Sequence, residues 1–90
     1  MANWTFLTHH GHTLVAIAQD PDLTIDQIAA KVGITARATA GILNDLVDAG
    51  YLVKEKVGRN NRYTVHGELA MRHPLNDQTR VADLLSLFGS

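Results

Sequence analysis

Apolar side chains in the first fifty residues recur three times at the spacing of one helical face. Leu14, Ile17 and Ala18 fall at i, i+3 and i+4. Ile25, Ile28, Ala29 and Val32 fall at i, i+3, i+4 and i+7, and Thr39, Ile42, Leu43 and Leu46 repeat that pattern. Each run carries its own punctuation. Thr8 is placed to cap the first helix, and Asp20-Pro21-Asp22 ends it, because a proline disfavours helical geometry at the residue before it. The second helix has the clearest start in the chain. Thr24-Ile25-Asp26-Gln27 fits a capping box, with Leu23 and Ile28 set for a hydrophobic staple, and Gly33 is its left-handed stop. Only Ile34 separates Gly33 from the next cap, Thr35, and the third helix runs to about Ala49 with Gly50 behind it. Two short helices joined by a tight glycine-containing turn make a helix-turn-helix.

After Gly50 the period changes to that of strands. Tyr51–Val57 and Arg62–His66, rich in Val, Tyr and Thr, read as two short strands. Gly58-Arg59-Asn60-Asn61 between them reads as the turn of a β-hairpin, since Gly and Asn tolerate positive φ. Val81, Leu84, Leu85 and Phe88 resume helical spacing and predict a helix from about Thr79 to Phe88. Residues 67–78, a connector of a dozen residues containing Pro74, are long enough to carry that helix away from its own body. At the other end, Asn3-Trp4-Thr5-Phe6-Leu7 alternates large apolar with polar side chains and reads either as a short strand or as an extended arm. The expected fold is mainly α with a small β-hairpin (α+β). It is a winged helix-turn-helix of three helices, a wing and a C-terminal helix, in one domain over 1–90 with its core at about 8–66.

Composition narrows the functional classes. A 90-residue chain with 46% hydrophobic and 19% charged residues suits one folded domain, not a disordered one. Without cysteine, disulfides and thiolate metal sites are excluded. No apolar run reaches the roughly 18 residues of a transmembrane helix. No signal-peptide pattern opens the sequence, so the expected location is the cytoplasm. The net charge of −1 conceals an asymmetry. Residues 1–50 set Lys31 and Arg37 against Asp20, Asp22, Asp26, Asp45 and Asp48, whereas residues 51–73 set Lys54, Lys56, Arg59, Arg62 and Arg72 against Glu55 and Glu68. A basic segment inside an acidic chain is the local feature a polyanion recognises.

Two stretches carry a family resemblance. Ile25-Asp26-Gln27-Ile28-Ala29-Ala30-Lys31-Val32-Gly33-Ile34-Thr35 resembles the start of the helix-turn-helix in MarR- or ArsR-type prokaryotic transcriptional regulators. Leu46-Val47-Asp48-Ala49-Gly50-Tyr51-Leu52 resembles their entry into the wing. The likeness covers about residues 8 to 66. It implies a third helix laid in the major groove of double-stranded DNA, a wing along the adjacent phosphates, and a homodimer built from segments outside the winged helix.

Candidate site residues follow from these placements. Thr35 caps the recognition helix with a hydroxyl that can donate to a phosphate. Arg37 and Asn44 are the outward residues of that helix able to bond base edges, Arg to guanine and Asn to adenine. Their neighbours Ala36, Ala40 and Gly41 are small and would let the helix backbone approach thymine methyls or phosphate. This poverty of long polar side chains also suits an alternative, a winged-helix protein-interaction module without base readout. Lys54, Lys56, Arg59 and Arg62, with Asn60 and Asn61 as further donors, put four cations into nine residues of the wing, and Lys54 and Lys56 share one strand face. Trp4, Phe6, Val81, Leu84, Leu85 and Phe88 are apolar surfaces assigned to a homodimer interface. His9, His10 and His12 are imidazoles at a helix start. With no cysteine, and with His66 and His73 distant in sequence, they read as polar residues, at a dimer contact, and not as a metal site. No phosphate loop, nucleophile elbow or metalloprotease motif is present, so neither an enzyme nor a cofactor is expected.

Overall fold

Every helix start in the helix-turn-helix half is held by a threonine. In the computed structural model, which describes residues 4–88 without the side chain of Asn60, helix α1 spans His9–Gln19 and the Thr8 hydroxyl accepts from the Gly11 N–H at 3.2 Å. Helix α2 spans Ile25–Val32. Its capping box is complete: Gln27 N–H donates to Thr24 Oγ1 at 3.2 Å, and Thr24 N–H donates to Gln27 Oε1 at 2.9 Å. The chain leaves α2 through Gly33 at φ +89°, where the N–H groups of Gly33 and Ile34 both donate to the Ala29 carbonyl. Helix α3 spans Ala36–Asp48, and Thr35 Oγ1 accepts from Ala38 N–H at 3.0 Å. Caps of this kind satisfy amide donors that no helix can satisfy for itself, each worth about 1 kcal/mol.

Beyond Gly50, strands β1 (Leu52–Val57) and β2 (Asn60–Val65) form an antiparallel hairpin, and a short helix α4 (Val81–Ser86) closes the described chain. One core joins all of these elements. Leu14 and Ile17 of α1, Ile28 of α2, and Ile42, Leu43 and Leu46 of α3 meet Tyr51, Leu52 and Tyr63 at the hairpin root and Val81 and Leu85 of α4. A fully buried Leu or Ile is worth about 1.5–3 kcal/mol, so this junction is what holds the wing and α4 to the helices. Two threonines, Thr13 and Thr39, are also fully buried. Each hydroxyl donates to its own helix, to the carbonyls of His9 at 2.8 Å and Thr35 at 2.9 Å, so neither is left unsatisfied in the core.

Four expectations need correction. The wing turn is two residues, not four: Gly58 takes φ +62°, Arg59 keeps negative φ, and Asn60 and Asn61 already pair with Val57 and Lys56. A two-residue turn with glycine first matches the strand twist, which frees the asparagine backbone for the ladder. Residues 4–8 of the N-terminal stretch form no strand, because no neighbouring strand bonds them; Asn3 lies outside the described residues. The connector does not carry α4 away from the body. It doubles back, with Ala70 and Arg80 in an antiparallel bridge, Met71 N–H on the Thr79 carbonyl, and Val81 and Ala82 N–H on the carbonyls of Leu69 and Gly67. The terminal helix is accordingly shorter than the expected 79–88.

The fourth correction concerns what α4 covers. Val81 and Leu85, assigned by sequence to a dimer interface, are 2% and 5% exposed within the single chain and belong to its own core. Leu84 is half-buried, and Phe88 keeps 43% of its surface. Gly67 permits this docking: a Cβ there would lie 2.9 Å from the Ala82 Cβ, closer than side chains tolerate. The Tyr51 hydroxyl, donating to the Ala70 carbonyl at 2.7 Å, ties the returning connector to the hairpin root.

Candidate nucleic-acid interface

Helix α3 turns Thr39, Ile42, Leu43 and Leu46 inward, and the opposite stripe is therefore Arg37, Gly41, Asn44 and Asp48, at i, i+4, i+7 and i+11. All four are exposed, as are Thr35 at the cap and Ala36 beside it; Ala40 is half-buried. The candidate base-reading pair, Arg37 and Asn44, thus stands on one solvent face with the glycine between them. A Cβ at Gly41 would find no atom within 4 Å, so that face has a shallow waist at its centre.

The same stripe brings in residues the sequence reading passed over. Asp48 closes it, and Asp45 lies beside it, held by His10 Nε2 at 2.9 Å from α1. The exposed face of α3 is cationic at its N-terminal half and anionic at its C-terminal half. The signal was present in the spacing of Asp48 from Arg37, which places both on one side of a helix. His9 and His12 lie on α1 with His10, and among the described residues no group of three or more His, Asp or Glu side chains is arranged to hold a metal.

The ladder sorts the wing side chains. Pairing sets Leu52 opposite Val65, Lys54 opposite Tyr63, and Lys56 opposite Asn61; directly paired residues share a face. Lys54, Lys56 and Asn61 therefore stand on the face whose root, Leu52 and Tyr63, is buried in the core. Glu55 pairs with Arg62 and Val53 with Thr64, so these belong to the other face. The four-cation row of the sequence reading is in fact divided. Lys54 and Lys56 form one pair, Arg59 sits alone at the turn, and Arg62 lies on the opposite side with Glu55 across from it. Arg62 Nε is also 3.4 Å from Asp22 Oδ1, at the corner between α1 and α2. Among the described residues, Lys54, Lys56, Arg59 and Arg37 have no carboxylate within 4.0 Å. The side chain of Asn60 lies outside the described residues.

The proposed dimer residues also separate. Trp4 and Phe6 project into solvent at 63% and 94% exposure, with ring centroids 5.2 Å apart and planes at 84°, the edge-to-face arrangement aromatic quadrupoles prefer. They pack on each other and leave a broad apolar surface uncovered. Among the described residues no helix is long and apolar enough to cross a membrane.

Comparison with known proteins adds one finding. A family model described as the MarR family matches residues 6–62, more than half of the chain, from the residues before α1 to the middle of β2. The match supports the MarR side of the resemblance and lends nothing to the ArsR side. No curated protein matches the chain.

Proposed function

The chain belongs to the MarR family of DNA-binding transcription regulators, and from that premise we propose that it docks α3 in the major groove of duplex DNA and lays its wing on the flanking phosphates. Arg37 reads a guanine and Asn44 an adenine, by bidentate bonds to the base edges. Thr35 donates its hydroxyl to a phosphate at the helix start, where the helix dipole already favours an anion. Lys54, Lys56 and Arg59, with Asn61, neutralise and bond backbone phosphates. The observation that carries this reading is the set of unpaired cations, Arg37 on α3 and Lys54, Lys56 and Arg59 on the wing, set around an exposed helical face. Cations already matched to carboxylates have less to offer a phosphate.

The regulator acts as a homodimer in this reading, through Trp4, Phe6, Phe88 and the exposed edge of Leu84. Two copies address half-sites about 34 Å apart, one helical turn of DNA. Fluorescence anisotropy with random duplex at about 50 and 200 mM salt tests the phosphate component, for which affinity falls steeply between those concentrations. Binding-site selection tests readout. A selected consensus containing guanine and adenine supports the assignment of Arg37 and Asn44. Salt-sensitive binding with no consensus removes base readout. No duplex binding at low salt returns the chain to the alternative of a protein-interaction module.

A further inference from the structure

The geometry points to Asp22 as a positioning residue that withholds Arg62 from DNA and braces the wing against the corner between α1 and α2. This rests on the DNA-binding reading and refines it. Arg62 is the one described wing cation with a carboxylate within 4.0 Å, its Nε standing 3.4 Å from Asp22 Oδ1. A second carboxylate, Glu55, is its direct cross-strand partner on the same face. A phosphate approaching Arg62 meets both anions, whereas one approaching Lys54 or Lys56 meets the opposite face, from which Glu55 points away.

The backbone that carries Asp22 is held in place. Pro21 before it has a locked φ. The Asp22 N–H donates to Asp20 Oδ1 at 3.1 Å, closing the corner. Leu23 after it is buried in the core, and Thr24 next begins the capping box of α2. The acid therefore reaches the wing from the constrained corner that leads into the helix-turn-helix. Arg62 is midway along β2, between the buried root at Tyr63 and the exposed turn. The pair thus ties the corner to the outer half of β2, where Asp22 and Asp26 also border a cleft with Arg59, Asn61 and Tyr63.

The consequence is a count. Log affinity falls with log salt by about 0.9 for every phosphate a protein neutralises on duplex DNA. If Asp22 holds Arg62, the wild-type slope contains no contribution from Arg62. Salt titrations on random duplex, read by anisotropy, are made for the wild type and for Arg62→Ala, Asp22→Asn, Asp22→Glu, the double variant Asp22→Asn/Arg62→Ala, and Asp26→Asn. The last makes the same charge change four residues away, at a carboxylate with no wing cation within 4.0 Å. Circular dichroism confirms that each is folded, which is expected because both members of the pair are at least half-exposed.

The expected result is that Arg62→Ala and Asp22→Glu keep the wild-type slope, and Asp22→Asn steepens it by about 0.9 per bound chain as Arg62 turns to a phosphate. The double variant returns to the wild-type value, and Asp26→Asn matches wild type. A slope flattened by about 0.9 in Arg62→Ala overturns the proposal, because Arg62 would then already be on a phosphate. So does an unchanged slope in Asp22→Asn, or an equal steepening in Asp26→Asn. These failures leave DNA binding intact, whereas a wild type that binds no duplex at about 50 mM salt overturns the DNA-binding reading and the latch with it.

Discussion

Replacing Gly41 with alanine should stabilise the free protein by about 1 kcal/mol, the difference in helix propensity between the two residues. The position is interior to α3, exposed, and not among the glycines at positive φ; an added Cβ would have no atom within 4 Å. Neither strain nor new burial therefore competes with the propensity gain. For a domain of 60–100 residues, 1 kcal/mol moves Tm by roughly 4–8 °C. Gly33 supplies the internal control. Its Cβ would also meet nothing within 4 Å, but its φ is +89°, so alanine there should cost about 1 kcal/mol through the backbone alone. Two sites with equal room and opposite backbone sign should thus shift Tm in opposite directions, by thermal melts followed at a helix wavelength. A Gly41→Ala variant that melts below wild type would refute the account of α3 as an ordinary helix with a solvent-facing waist. The same variant probes contact with DNA. If the waist brings the α3 backbone against base edges, Gly41→Ala should weaken selected duplex at least several-fold while raising Tm. Unchanged affinity would exclude that close approach.

Other substitutions test separate parts of the molecule. Gly67→Ala should destabilise by roughly 1–3 kcal/mol, because its Cβ must displace Ala82 and with it the burial of Val81 and Leu85; a chemical denaturation curve measures this. Tyr51→Phe should cost about 1 kcal/mol by removing the bond to the Ala70 carbonyl, and hydrogen exchange should show the 67–82 segment opening first. Lys54→Ala/Lys56→Ala should flatten the salt dependence of duplex binding by about 1.8 in slope per chain, with specific and random DNA weakened alike. Trp4→Ser/Phe6→Ser should leave Tm of the isolated chain nearly unchanged and lower the mass seen in sedimentation equilibrium; a wild-type mass of 9.8 kDa at tens of micromolar would dispose of the homodimer.

What was legible in the sequence was local. Thr24 and Gln27 are three residues apart, and a capping box needs nothing beyond that spacing, so its two bonds could be read before any fold was known. Gly33 as a stop and the inward stripe of α3 are equally short-range. The turn of the wing is not legible from composition, because two mechanisms compete there. Asn60 and Asn61 tolerate turn geometry, but Gly58 alone already supplies the positive φ, and the asparagines then gain more from ladder bonds. The return of the connector was invisible for a different reason. It is made by backbone groups of Gly67, Leu69, Met71, Thr79, Val81 and Ala82, and backbone pairing leaves no mark in side-chain periodicity. That is why the apolar stripe of α4 could be seen while its partner could not. The candidate interface divides in the same way. Arg37 and Asn44 on one face follow from helical spacing, but the separation of Arg62 from Lys54 and Lys56 depends on hairpin register, which the turn length decides.

The hairpin is packed at its root, where Leu52 and Tyr63 are buried, and is braced along β2 by Arg62 on Asp22, while Val53 to Arg59 of the other strand and the turn are exposed. Mechanically it is a cantilever. From Leu52 to Val57 the arm is about 17 Å at roughly 3.3–3.4 Å per residue. A tilt of about 10° at the root carries the tip about 3 Å, close to the rise of roughly 3.4 Å per nucleotide along one DNA strand. Small repacking around Tyr63 would therefore move Arg59 along the duplex by about one axial rise, a fraction of the separation of neighbouring phosphates, while leaving α3 where it was. In a lever of this kind the residues that set where the tip meets the backbone are the buried aromatic and aliphatic groups at the pivot, far from any charge.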